Sequence, residues 1–300
     1  MEFSLRILSS NSSLRPDLAC EITPDGVLAA KRTAPDQAVL SFAPLAADVV
    51  QPGLATPNFA DRAAVVAALR QALDEVAQRE KQLTLVVPDA AVRVLILDFD
   101  SLPSKAQDAL PIVRFRLRKL APFDVEDAAV SYQVMRQDQD MTRVLVTVMP
   151  AAVSAEYEEA VRAAGFEPGV VLPSTLASLA ALPTGDAALV INRNHRTLTT
   201  AITNGNELLL HRTLELSANE ASRRDDLTQA VSVAAAYFED TLQTEPRVLY
   251  YVGAGGADEF ARELGAEAGS VVRDLAANPA GAVSAMPKGL AAGVMGALAS

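Results

Sequence analysis

Few residues in this sequence carry reactive chemistry. Among its 300 residues are two histidines, His195 and His211, and one cysteine, Cys20. A structural zinc cage draws its ligands from cysteine and histidine, so none can be assembled here. No Ser-His-Asp pattern with an obvious nucleophile elbow is present either. Cys20 stands in an apolar, strand-like run and reads as a small core residue rather than a reactive thiol. His195 and His211 are flanked by Arg196 and Arg212 and read as solvated hairpin positions rather than ligands. The carboxylates Glu158, Glu159, Asp225 and Asp226 begin or occupy helices, where caps and dipole partners account for them. One dense basic run remains: Arg114, Arg116, Arg118 and Lys119. Its first reading is the wet face of a helix; its second is a contact for an acidic partner or an anionic membrane surface.

Composition narrows the classes further. Half the residues are apolar and 21% are charged, which is globular rather than disordered. Lys plus Arg number 26 against 37 Asp plus Glu, a net charge of −11. That balance argues against a phosphate-backbone binder, which needs a basic face, so no nucleic-acid partner is expected. A lone cysteine excludes a disulfide framework and fits a reducing compartment. The start, Met1 to Arg6, lacks a basic region followed by a sustained apolar run. The apolar stretch Gly289 to Ala299 is about half of the roughly 20 residues a membrane helix requires. The expectation is a soluble, cytoplasmic chain with no membrane span of its own.

The elements that must position any site show an internal duplication. In the second half, Ala187–Ile191, Thr197–Thr203 and Glu207–Leu214 read as strands, with Asn204-Gly205 as a hairpin turn. A helix over Asp225–Leu242 follows, then a strand over Arg247–Val252, a helix over Asp258–Leu264, a strand over Ser270–Val272 and a helix over Gly289–Leu298. The first half opens alike. Strands at Asp17–Ile22, Gly26–Lys31 and Gln37–Phe42 precede an amphipathic helix over Asp61–Glu80 and a buried strand at Leu83–Val87. The pattern βββαβ thus occurs twice. Two such halves facing each other across a cleft make the actin-like, ribonuclease-H-like α/β architecture of duplicated βββαβαβα halves.

An extra block interrupts the first half. Val92–Phe99 is a strand, and Ser104-Lys-Ala-Gln107 has the form of a capping box opening a helix with Pro111 inside it. A hairpin over Ala128–Met135 and Arg143–Met149 and a helix over Ala155–Ala164 complete a β-α-β-β-α module. Domains are therefore expected at 1–90 plus 165–185, at 91–164 (the inserted module), and at 186–300.

The run Leu102-Pro103, a helix, Leu120-Ala-Pro-Phe123 and a hairpin ending Val144-Leu-Val-Thr-Val148 resembles the inserted module of the PilM family of type IV pilus assembly proteins. Tyr157, Ala163-Ala-Gly-Phe-Glu-Pro168 and Ser174-Thr-Leu-Ala177 match the same rhythm. FtsA and the cytoplasmic part of GspL share the architecture.

The resemblance implies a nucleotide cleft, with ATP and magnesium held by two phosphate hairpins and a glycine-rich adenosine turn. Tight hairpins present backbone N–H groups to phosphates, and glycine allows close approach. The first hairpin here is Glu21-Ile-Thr-Pro-Asp-Gly26, where the family carries Asp-Ile-Gly; Thr23 replaces the glycine and Pro24 removes a donor. The second is Asn192-Arg-Asn-His195, lacking both aspartate and glycine. The third, Gly253-Ala-Gly-Gly256, keeps its form. The cofactor-binding candidates are Gly253, Gly255, Gly256, Glu21, Asn192 and Arg193, with Arg193 offering a cation to a phosphate; no catalytic or metal residue is assigned. The other reading of Gly253–Gly256 is a turn retained for packing.

The resemblance further implies a cytoplasmic scaffold of a pilus or type II secretion assembly. It would bind the cytoplasmic tail of a PilN-like inner-membrane protein, together with other pilus platform proteins, and lie at the inner membrane through those partners. The tail would sit between the module and the first half, beside Phe99, Leu102, Phe115, Arg118 and Phe123. The alternatives are an active actin-like ATPase and a filament-forming FtsA-like protein, the latter a homo-oligomer.

Overall fold

A computed structural model describes residues 15–34, 37–183, 185–265, 271–276 and 286–299. The expectation for the segment Met1 to Arg6 lies outside these residues, as do Ser270 at the start of the last expected strand and position 184 in the first-half boundary.

The first half opens with a meander of β1 (Leu18–Thr23), β2 (Gly26–Ala34) and β3 (Gln37–Pro44). Helix α1 (Arg62–Val76) then returns the chain to β4 (Gln82–Val87), which pairs parallel with β1. Asp61 caps α1 by accepting from the Ala64 N–H at 3.0 Å, and Val65, Leu69, Leu73 and Val76 form the buried stripe that its spacing predicts. The helix is shorter than the periodicity suggests, because Gln78 turns into the left-handed region at φ 55°.

A short 3₁₀ turn, Asp89–Ala91, leads into the inserted elements: β5 (Arg93–Phe99), α2 (Ala106–Leu117), β6 (Ala129–Gln137), β7 (Thr142–Met149) and α3 (Ala151–Ala163). The three strands form a sheet in the order β5-β7-β6. Val113 and Leu117 of α2 pack on its Val144-Val146-Val148 face. The expected capping box does not form: α2 starts after Lys105, and no side chain caps it. Pro111 is accommodated inside the helix.

After α3 the chain re-enters the first sheet as β8 (Glu167–Pro173), parallel to β4, and continues into α4 (Ser174–Leu179). The sheet order is β3-β2-β1-β4-β8. The second half repeats it. Strands β9 (Ala188–Asn194), β10 (Thr197–Asn204) and β11 (Glu207–Glu215) are followed by α5 (Glu220–Leu242), β12 (Val248–Val252), α6 (Gly256–Leu264), β13 (Val271–Asp274) and α7 (Ala292–Ala299). Its sheet order, β11-β10-β9-β12-β13, is the first order with the elements renumbered. The β10–β11 turn sits at Gly205-Asn206, one residue later than expected, with Gly205 at φ 56° and a register shift between Ile202 and Thr203.

Two helices cross the boundaries drawn by chain order. Helix α3, placed by sequence in the 91–164 module, packs on the first half through Val153, Tyr157, Ala160 and Val161. Helix α7, placed in 186–300, covers the second face of the first sheet, with Val294, Ala297 and Leu298, and Ala291 just before the helix, against Leu28, Leu40 and Val86. Close approach explains that seat. A Cβ at Gly293 would overlap the Glu21 carboxylate, and one at Gly296 would overlap the Ala177 carbonyl. Strand β1 is consequently buried along its whole length, with cores on both faces. The module leans on the second half as well. Arg143 of β7 bonds Asp98 of β5 at 2.8 and 3.0 Å and Glu207 of β11 at 3.1 Å.

Candidate functional site

Four chain segments end at the floor of the cleft. Strand β1 brings Glu21, the turn after β4 brings Asp89, the β8–α4 junction brings Ser174 and Thr175, and β9 of the other half brings Asn192. All five are buried. Buried polar groups require partners, and these supply one another. Thr175 donates its N–H to Asp89 Oδ1 at 3.1 Å and its hydroxyl to Asp89 Oδ2 at 2.5 Å. Ser174 Oγ donates to Glu21 Oε1 at 2.5 Å. Asn192 Nδ2 then donates to Ser174 Oγ and Thr175 Oγ1 at 3.0 Å each, with a longer 3.5 Å contact to Asp89 Oδ2. An amide nitrogen has two hydrogens, so the two hydroxyls use both.

This network sets the electrostatics. Burial pushes the Glu21 carboxyl up to about 7; the hydrogen bond from Ser174 opposes that shift and the nearby Asp89 charge adds to it. Sequence reasoning singled out Glu21 and Asn192 but not Asp89. An acidic residue at the carboxyl end of a buried parallel strand, here directly after Pro88, was the available signal.

The six cofactor candidates fall in two groups. Glu21, Asn192, Arg193 and Gly253 line one cavity, together with Thr23 and Ser174, but its volume is only about 10 Å³. That is on the order of a single water. Thr23 closes the first hairpin on itself: its hydroxyl donates to Gly26 O at 2.9 Å and accepts from Gly26 N at 3.2 Å. Arg193 is committed to Glu263 of α6 at 2.5 Å. Gly255 and Gly256 lie on the α6 side of the turn, at φ 87° and 74°. The backbone donors there are occupied as well. Gly253 N bonds Gly289 O at 3.0 Å, and Ala257 N, in the first turn of α6, bonds Asp274 Oδ1 at 2.8 Å. As arranged, Glu21, Asn192 and Arg193 leave no room for a phosphate and its magnesium at the base of the cleft, and the carboxylates there face hydroxyls and each other. The tips of the same two hairpins, Pro24-Asp25 and 194–197, instead stand apart across an open space. Among the described residues no group of three or more His, Cys, Asp or Glu side chains is placed to hold a metal ion.

The five partner candidates also divide. Phe99, Leu102 and Phe123 are partly buried against the module core. Phe115 is 63% exposed on the outer side of α2, and Arg118 pairs with Glu126. Arg114 departs from the wet-face expectation: its guanidinium ties down the carbonyls of Glu126 and Ala128 at 3.2 and 3.0 Å and also that of Val125. His195 sits exposed in the β9–β10 turn at φ 53°, as its hairpin placement predicts. His211 does not match the solvated expectation. It lies on β11 with its Nε2 sealed from solvent and unpartnered, and burial lowers its tendency to protonate. Cys20 is buried, and burial raises its thiol further from reactivity.

Two open cavities flank the closed cleft. One of about 890 Å³ lies between the tips of the β1–β2 and β9–β10 hairpins and the β3–α1 loop, with Pro24, Asp25, His195 and Arg196 among its lining. The other, about 350 Å³, lies between β5 and β11, with Leu54, Leu95 and Leu120 among its lining. Among the described residues β5 pairs only with β7 and β11 only with β10, so the cavity lies where two sheet edges approach each other.

No protein-family profile matches the chain, and no curated protein matches it. Solved structures do. A chain of the PilM-PilN type IV pilus biogenesis complex superposes with a TM-score of 0.70 at 18% identity, over 87% of this chain and 88% of that one. The ethanolamine utilization protein EutJ from Carboxydothermus hydrogenoformans gives 0.51 at 11% identity, over 96% and 91%. The cytoplasmic domain of EpsL, an inner membrane component of the type II secretion system of Vibrio cholerae, gives 0.49 at 14% identity, over 94% and 92%. The fold is actin-like. No helix among the described residues is long and apolar enough to cross a membrane.

Proposed function

We propose that this actin-like chain is a cytoplasmic scaffold of a type IV pilus or related type II secretion assembly, a PilM-like protein that holds the cytoplasmic tail of a PilN-like membrane protein. It has no efficient ATPase activity of its own. One observation carries the reading: at the base of the cleft Asn192 and its hydroxyl partners leave only about 10 Å³, too little for a phosphate and its metal, while beside the inserted module a cavity of about 350 Å³ stands open next to β5.

A free edge offers backbone groups to an extended peptide, and alternate side chains of the peptide then find apolar pockets. None of Phe99, Leu102, Phe115, Arg118 and Phe123 lines this cavity, which lies between the module and β11 of the second half rather than between the module and the first half. Peripheral attachment to the inner membrane follows from the partner. The likeness to the PilM-PilN complex supports this reading through the fold.

The test uses the full chain and the cytoplasmic tail of the single-span membrane protein encoded by the following reading frame. Saturable binding of that tail is expected, together with no saturable thermal shift and no phosphate release on adding ATP and magnesium. Absence of tail binding overturns the scaffold reading; phosphate release overturns the claim of lost hydrolysis.

A further inference from the structure

Large exposed apolar side chains are not spread evenly over this protein. Of seven among the described residues, three (Ile112, Phe115 and Leu120) fall on α2 and the turn that leaves it. Val113 and Leu117 bury the inner side of the helix on the module sheet. Its period therefore turns Pro111, Ile112, Phe115 and Lys119 to the opposite side. Ile112 is 40% exposed and Phe115 63%, and the side chains of Arg116 and Lys119 stand exposed beside them. Clustered apolar tips of this kind mark contact surfaces more often than single ones do.

The charge at this face runs against the rest of the chain. In a protein of net charge −11, the last turn of α2 and its exit bring together Arg114, Arg116, Arg118 and Lys119. Arg114 is tied to the carbonyls of Val125, Glu126 and Ala128, which fixes the following loop to the end of the helix. Arg118 pairs with Glu126 and lies 6.0 Å over the Phe115 ring. Among the described residues the side chains of Arg116 and Lys119 form no ion pair. Asp108, the one carboxylate of α2, lies at the N-terminal end, so positive charge gathers at the other end around Phe115.

Shape selects the occupant. Ile112, Phe115, Arg116 and Lys119 line none of the three cavities described above. A peptide or partner helix seats in a groove, whereas protruding apolar tips between cations suit a soft, negatively charged surface that yields around them. We propose that the outer face of α2 is a membrane-contact surface, resting on an anionic bilayer with Ile112 and Phe115 in the headgroup region and Arg116 and Lys119 against lipid phosphates. The inference goes beyond tail docking and stands on this face alone. A weak lipid contact and a tail contact would reinforce each other on one membrane and turn the inserted module toward it.

The experiment is vesicle flotation of the full chain with no partner protein present. Vesicles of phosphatidylcholine alone are compared with vesicles containing an equal share of phosphatidylglycerol. Expected is about tenfold more chain floating with the anionic vesicles, a difference that fades at high ionic strength. Phe115→Ser, and separately Arg116→Gln with Lys119→Gln, should each cut flotation severalfold while leaving circular dichroism and the melting temperature unchanged. Val233→Ser, which removes an exposed apolar side chain from α5, should float like the parent. Absence of flotation, equal flotation on both vesicles, or flotation unchanged in the α2 variants overturns the proposal. If the chain ignores vesicles but forms a dimer that Phe115→Ser disperses in sedimentation, the face belongs to a second copy and the proposal likewise fails. Tail binding measured without lipid is a separate reading, so each of these failures leaves tail docking standing.

Discussion

Asn192 of the second half donates its side-chain amide to Ser174 Oγ of the first at 3.0 Å, and to the neighbouring Thr175 Oγ1 at the same distance. Both hydroxyls already donate onward, to Glu21 and Asp89, so only a donor satisfies them from the third side. The cleft is thus fastened by an amide at the place where the sequence resemblance leads one to expect an aspartate.

Asn192→Asp reverses that logic. An ionised aspartate would bring a third carboxylate to a buried site and offer an acceptor where a donor is needed. A loss of roughly 2–4 kcal/mol at pH 8 is expected. It should shrink at pH 5, where the new carboxyl protonates and regains a donor. Urea denaturation at the two pH values reads the difference; equal stability of variant and parent at pH 8 would show that the amide does not fasten the halves.

Glu21 gives a linkage test. Its folded value, about 7, lies above the ordinary carboxylate value, so the native state binds more protons than the unfolded chain between about pH 4.5 and 7. Its contribution to stability is present below that window and is lost as pH rises through it. Glu21→Gln keeps an acceptor for Ser174 and removes the titration. The variant should be more stable than the parent at pH 8, by up to roughly 3 kcal/mol, and equal to it near pH 4.5. Denaturation curves across that range would show a constant offset if Glu21 does not titrate in the native state.

Tyr157 anchors α3 to the first half. It is fully buried, packs edge-on to Phe59 at 4.8 Å between ring centroids and donates its hydroxyl to Asn58 Oδ1 at 3.2 Å. Tyr157→Ala should cost about 3–5 kcal/mol, and Tyr157→Phe about 1 kcal/mol. The large loss should accompany faster hydrogen exchange in the 52–60 loop, since Glu156 on the same helix accepts from the Asn58 and Phe59 N–H groups.

Arg143 links the module to β11. It is about a quarter exposed and bonds both Asp98 and Glu207, so Arg143→Ala should cost only about 1 kcal/mol overall. Amide exchange in β5, β7 and β11 should nevertheless accelerate selectively. Uniform acceleration across both halves would mean that the module is held to the second half by its apolar contacts instead.

Much of this protein is written in local pattern. The duplicated βββαβ order and the α1 stripe from Val65 to Val76 follow from residue type and spacing, because periodicity is a local property of the chain; that Asn192 stands where an aspartate would be expected came from the family resemblance. The poverty of His and Cys chemistry is equally a fact of composition. Tertiary structure alone decided the rest. Nothing near Asp89 in sequence reveals that it will meet Thr175, 86 residues away, or that Asn192 will close the cleft over both. Seats for α3 and α7 on the first half depend on which distant apolar faces remain uncovered, and on Gly293 and Gly296 allowing approach. His211 passes for a solvated hairpin residue until the assembled fold encloses its Nε2. Burial is a property of the assembled layers, so it was burial that the chain order could not disclose.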